Sequence, residues 1–204
     1  MVKANFEKIG YGQVEPNRMN LAEYGDGIVA DIAVKVEDIK KVDNRIENGM
    51  VLAVEFGKGF KNNLKVGEVT LPTADSKILG LAVAENKLYT KFHSKKDFAL
   101  FVEAPEVGNV SQMAYYDNVR YGNHDLHDTV VPRLFLFGAG DIFTTNLVAQ
   151  KYDELEVGDD LFVNENGVID KAGAIKRVTF TVVQKTTMPD GQLGVKLAVT
   201  EVKA

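Results

Sequence analysis

Apolar and polar positions change over in short runs along most of this chain, and glycine, proline or asparagine stops nearly every run. From Gly27 the stretch Ile28 to Val36 is rich in β-branched residues, and Met50 to Phe56 comes after the turn-forming pair Asn48-Gly49 with the alternation of a strand. Residues 68–71 make a shorter run stopped by Pro72. Residues 78–84 and 87–92 read as a hairpin about Glu85 and Asn86, and 98–102 as a strand ended by Pro105. Near the C-terminus, Leu161 to Val163, Val178 to Gln184 and Gly194 to Val202 repeat the pattern. The last two flank Met188-Pro189-Asp190-Gly191, a hairpin-turn sequence. Helical spacing shows best over 36–46, where Val36, Ile39, Val42 and Ile46 share a face; Asp43 and Asn44 leave a looping strand as the other reading.

Short strands at regular spacing predict a mainly β protein, a sandwich or barrel, with room for two small β units. Residues 1–26, with Gly10, Gly12, Pro16 and Asn17 and little periodicity, read as an extended N-terminal arm rather than a packed element. The rest of the chain divides into a β unit over 27–105, a long loop over 106–131, and a C-terminal β unit over 132–204 packed on the first. Leu64 to Glu68 and Leu155 to Asp159 share the pattern Leu-x-Val-Gly-acid, which suits a turn whose glycine takes positive φ. Five residues are too few to establish a duplication.

Composition narrows the function. With 204 residues, 45% apolar and 26% charged, the chain is long enough to bury a real core. Its net charge of −5 repels phosphate backbones, so no direct nucleic-acid partner is expected. Lys95 and Lys96 beside His93 make only a small basic spot, read as a solvated loop. The absence of cysteine removes disulfides, thiolate chemistry and cysteine-ligated metal, and fits folding in a reducing cytosol. No apolar run approaches the ~18 residues of a membrane span, and the first residues lack the apolar core of a signal sequence.

Three constellations could carry chemistry. Arg133 to Phe137 ends in Gly138-Ala139-Gly140, with Asp159 or Asp160 about twenty residues on, the outline of a dinucleotide loop. The position that needs a third glycine is Phe143, however, and Asp141 to Lys151 is a poor helix. Gly57-Lys58-Gly59 lacks the rest of a phosphate loop. His124, Asp125, His127 and Asp128 offer nitrogen and oxygen ligands that could hold a divalent ion, yet their spacing matches no established metalloprotease motif, so a polar loop is the expectation. Tyr115, Tyr116, Arg120 and Tyr121 suit an interface better than base or sugar stacking in an acidic chain without tryptophan. Ser76, Ser94 and Ser111 sit in no nucleophile context. No catalytic residue, cofactor or metal site is therefore assigned; the candidate partner contacts are Tyr115, Tyr116, Arg120, Tyr121, His124 and His127.

The run from Val131 through Arg133, Gly140, Asp141, Phe143 and Thr145, then Leu155 to Asp159 and the turn Asn166-Gly167, with Ile46 to Val51 upstream, resembles small virion proteins of tailed bacteriophages encoded close to the major capsid protein. The resemblance spans Ile46 to the C-terminus. It implies a head-associated structural protein, a capsid decoration (cement) protein or head-fibre base. Its shared framework would be Arg133, Gly140, Asp141, Phe143, Gly158 and Asp159, with no catalytic residue carried over. The implied partners are the major capsid protein and further copies of the chain, the place the virion after synthesis in the host cytoplasm. The alternative is another β-type binding or assembly module, a tail component or a carbohydrate-binding domain; a cofactor-binding enzyme comes last.

Overall fold

The strand-like runs pair into two sheets packed as a sandwich, in a mainly β chain. The computed structural model describes residues 12–19, 28–29, 33–34, 36–42, 45–56, 67–83, 99–101, 133–189 and 191–203. The first sheet contains β2 (Ile28–Val29), β3 (Ala33–Val34), β5 (Val51–Phe56), β6 (Gly67–Thr70), β7 (Leu79–Ala82) and β9 (Leu134–Leu136), in the order β2-β9-β7-β5-β6-β3. The second contains β1 (Val14–Arg18), β10 (Ile142–Thr145), β11 (Asp160–Val163), β12 (Ile169–Asp170), β13 (Ile175–Thr187) and β14 (Leu193–Val202), in the order β1-β10-β14-β13-β11-β12. β4 (Arg45–Glu47) and β8 (Ala99–Phe101) pair as a separate two-stranded ribbon. Pairing within the sheets is antiparallel except between β3 and β6.

Both sheets curl. β2 and β3 stand at opposite ends of their sheet's strand order, yet only residues 30–32 separate them in the chain. Four Cα steps reach at most about 14 Å. A flat sheet would hold those strands about 24 Å apart, five spacings of roughly 4.8 Å. The sheet therefore bends until its ends approach. In the second sheet the chain continues past β10 to Val148, which bridges Ile169 of β12 in parallel and closes a ring.

The two rings share one connectivity. In each, an opening strand pairs antiparallel with the last strand of its unit (β2 with β9, β10 with β14) and then, further on, parallel with the unit's second main strand (β3 with β6, Val148 with β12). β5, β6 and β7 correspond to β11, β12 and β13. A tight turn introduces β5 and β11 with matching hydrogen bonds. Met50 N–H donates to the Glu47 carbonyl and Asp159 N–H to that of Glu156, both at 3.1 Å. Gly49 and Gly158 donate to Ala82 and Val182 at 2.9 and 2.8 Å, and Ala82 and Val182 donate back to Met50 and Asp159 at 2.7 and 2.9 Å. Both glycines hold positive φ, +89° and +98°, which side chains disfavour. The partner of Leu155 to Asp159 is thus Ile46 to Met50. Leu64 to Glu68 is different: Gly67 opens β6 without positive φ, its α-hydrogens so close to the Glu55 carbonyl that a Cβ would lie 2.6 Å from that oxygen.

Several expectations change with this packing. Met50 to Phe56 does not alternate between core and solvent, because the first sheet is covered on both sides. Val51, Ala53, Leu79 and Leu81 join a core with Phe143, Leu161, Phe180 and Leu197. Leu52, Val54, Val69 and Leu134 pack instead with Ile39, Val42 and Ile46. The helical candidate ends early: α1 (Val36–Ile39) passes into a 3-10 turn over Lys40–Val42, and Ile46 lies in β4. Val14–Arg18, expected in a free arm, is an edge strand on β10. Leu134–Leu136, placed by the sequence in the C-terminal unit, pairs between β2 and β7 of the first sheet. The 106–131 loop and the 87–92 strand lie outside the described residues.

Candidate functional site

The glycine pair of the dinucleotide outline is a corner between the two sheets. Gly140 takes φ +91°, and Asp141 N–H donates to the Gly138 carbonyl at 3.1 Å, so the chain reverses within four residues. The Asp141 carboxylate, fully buried, accepts the Gly138 N–H at 2.7 Å and fixes the turn. Gly140 N–H donates to Val199 and Val199 N–H to Asp141, both at 2.8 Å, which secures the corner to β14. The corner leads into strand β10, so no helix N-terminus faces this loop as a pyrophosphate site would need. Phe143, at the position requiring glycine, packs in a trio with Phe137 and Phe180, ring centroids 5.1–5.9 Å apart.

All six candidate contacts, Tyr115, Tyr116, Arg120, Tyr121, His124 and His127, lie outside the described residues. The base of the segment carrying them is described. β7 and β9 are neighbours, Gly80 to Ala82 opposite Leu134 to Leu136, and Val83 N–H donates to the Arg133 carbonyl at 3.1 Å. Residues 84–132 therefore leave and return at one end of one strand pair. In the second unit the corresponding strands, β13 and β14, are joined across Pro189 to Gly191, with Met188 N–H on the Gln192 carbonyl at 2.8 Å and Gly191 at φ +85°. The first unit carries an excursion of 49 residues, which includes β8, where the second carries a tight turn. That excursion holds all three histidines of the chain, His93, His124 and His127.

Two polar groupings are invisible in the sequence because their members are remote in the chain. One is an open cleft of about 310 Å³ where α1, the 71–74 segment and the 165–166 turn converge. Asp38, Lys41, Thr73 and Glu165 supply its polar wall, and Lys41 donates to Asp38 at 2.7 Å. The other surrounds β12. Asp170 accepts from Gln150 Nε2 at 2.7 Å and from Ala172 N–H at 2.8 Å, while the Lys171 ammonium reaches Asp159 at 2.6 Å and the Glu154 carbonyl at 2.9 Å. The hydrogen bond from Lys171, then that from the Glu156 N–H, holds the Asp159 carboxyl below its usual pKa of 3.8. Each of these bonds ties a turn to its neighbour, which is a scaffold role. Among the described residues no group of three or more His, Asp or Glu side chains converges as a metal site, and no helix is long and apolar enough to cross a membrane.

Comparison with protein-family models, curated proteins and solved structures finds no match to this chain.

Proposed function

We propose that this chain is a virion structural protein of a tailed bacteriophage that binds the capsid surface as a decoration protein or head-fibre base, with the 106–129 loop of the 84–132 excursion as its contact element. The excursion carries the reading. A long insertion on a rigid β frame, with both ends held together, is the usual way a scaffold presents a recognition segment. Tyr115, Tyr116, Arg120 and Tyr121 within it are residue types that anchor protein interfaces. The framework positions of the resemblance build the frame that holds the loop: Gly140 and Asp141 make the corner, Phe143 the core, Gly158 and Asp159 the turn before β11. Many modest contacts on a repeating lattice would add to firm attachment through effective concentration.

The test is a density gradient of phage lysate with the chain tracked by mass spectrometry. Co-migration with a megadalton particle and an abundant capsid-sized protein is expected. Recovery of the chain only as a free small species would remove the virion reading.

A further inference from the structure

We propose that β1 is an exchangeable strand through which one copy of this chain pairs with another: Gln13 to Met19 of one molecule seats beside β10 of a second. The strand and its slot are unequal. On the strand, Pro16, Asn17 and Arg18 are exposed, Val14 and Glu15 half-buried, and only Met19 reaches the core. In the slot, Phe143, Thr144, Thr145 and Asn146 are all at most 2% exposed. The slot belongs to the second unit, whose ring closes through Val148 and Ile169 and leaves this edge of β10 to be covered by β1.

Polar bonds supply most of the specificity. Asn146 Nδ2 donates to Gln192 Oε1 at 2.9 Å, so two slot residues orient each other without the strand. The strand adds to that pair: Gln13 N–H donates to Asn146 Oδ1 at 2.6 Å, and Gln192 Nε2 donates to Gln13 Oε1 at 3.1 Å. Thr145 Oγ1 donates to the Gln13 carbonyl at 2.9 Å and Thr144 Oγ1 to Asn17 Oδ1 at 2.6 Å. A strand from a second copy would remake every one of these bonds. Exchange of an identical element keeps the contacts and changes only the connection. That connection is residues 20–27, leading from β1 in the second sheet to β2 in the first. Tethering favours the strand's own slot in dilute solution; high concentration, or copies held side by side, favours exchange. Strand exchange of this kind does not require attachment to a capsid.

The chain has no cysteine, so engineered thiols report cleanly. Glu15 and Thr144 are directly opposed in the antiparallel pair, a separation a disulfide can span. Glu15→Cys/Thr144→Cys in one chain should close an intramolecular disulfide at low micromolar concentration; failure to close would overturn the strand register and the proposal with it. Next, chains bearing only Glu15→Cys are mixed with chains bearing only Thr144→Cys and oxidised over a concentration series. Disulfide-linked heterodimer should rise with concentration, several-fold above a collision control pairing Glu15→Cys with Glu165→Cys. Yields equal to that control throughout the series would overturn the proposal.

Discussion

Gly49 and Gly158 occupy the same place in two units, with the same backbone bonds, but in different surroundings. A Cβ on Gly158 would meet nothing within 4 Å, whereas one on Gly49 would lie 2.6 Å from Thr145 Oγ1. Gly158→Ala should therefore cost only the backbone penalty of positive φ, roughly 1–2 kcal/mol. Gly49→Ala should cost more, and urea midpoints of the two variants will show the order. Asp159 supplies a pH test. Its pKa is lowered in the folded chain, so its contribution to stability is present above the unfolded value of 3.8 and fades as pH falls through the lower folded value. The stability advantage of the native chain over Asp159→Asn should shrink across that acid window; an advantage that stays constant there would contradict the Lys171 pairing. In the sequence Asp159 is legible as a turn acid, or as the acid of the dinucleotide outline, and not as a partner of Lys171. Its partner is twelve positions away, and nothing in the chain's local pattern joins them.

At the scale of elements, the decisive feature is the corner between β9 and β10. Phe137 before it and Phe143 after it both pack on Phe180 of β13, so one aromatic trio fastens the crossing from sheet to sheet. Phe180→Ala should destabilise the fold by about 3–5 kcal/mol, measured by denaturant unfolding. Gln192→Ala should cost less, about 1–3 kcal/mol, through the loss of its bonds to buried Asn146 and half-buried Gln13, and it should raise hydrogen exchange along β1 before β13. The β13–β14 hairpin is legible because Pro189 and Gly191 encode its turn locally. β1 is not: its side chains are mostly polar and its partner lies more than a hundred residues away. The repeat is half legible. An apolar residue, a glutamate, a spacer and a glycine recur at Ile46 to Gly49 and at Leu155 to Gly158, but the closer verbal match at Leu64 to Gly67 masks them.

For the whole molecule, two curled sheets of one connectivity share a core, and the long connection between β7 and β9 is where their likeness breaks furthest among the described residues. Replacing residues 106–129 with a short glycine–serine linker should leave cooperative unfolding nearly unchanged while abolishing attachment to heads in a pelleting assay. Loss of folding instead would assign that segment to the core. The sequence by itself determined the mainly β class, the local turns and the lack of thiol chemistry, because each comes from residue type and near-neighbour spacing. Only the tertiary structure decided that β1 joins the second sheet, that β9 joins the first, that Gly138 to Asp141 is a corner, and that Ile46 to Met50 is the counterpart of Leu155 to Asp159. Those assignments depend on which backbone edges meet across the fold, and strand pairing between distant segments leaves no period in the chain to read.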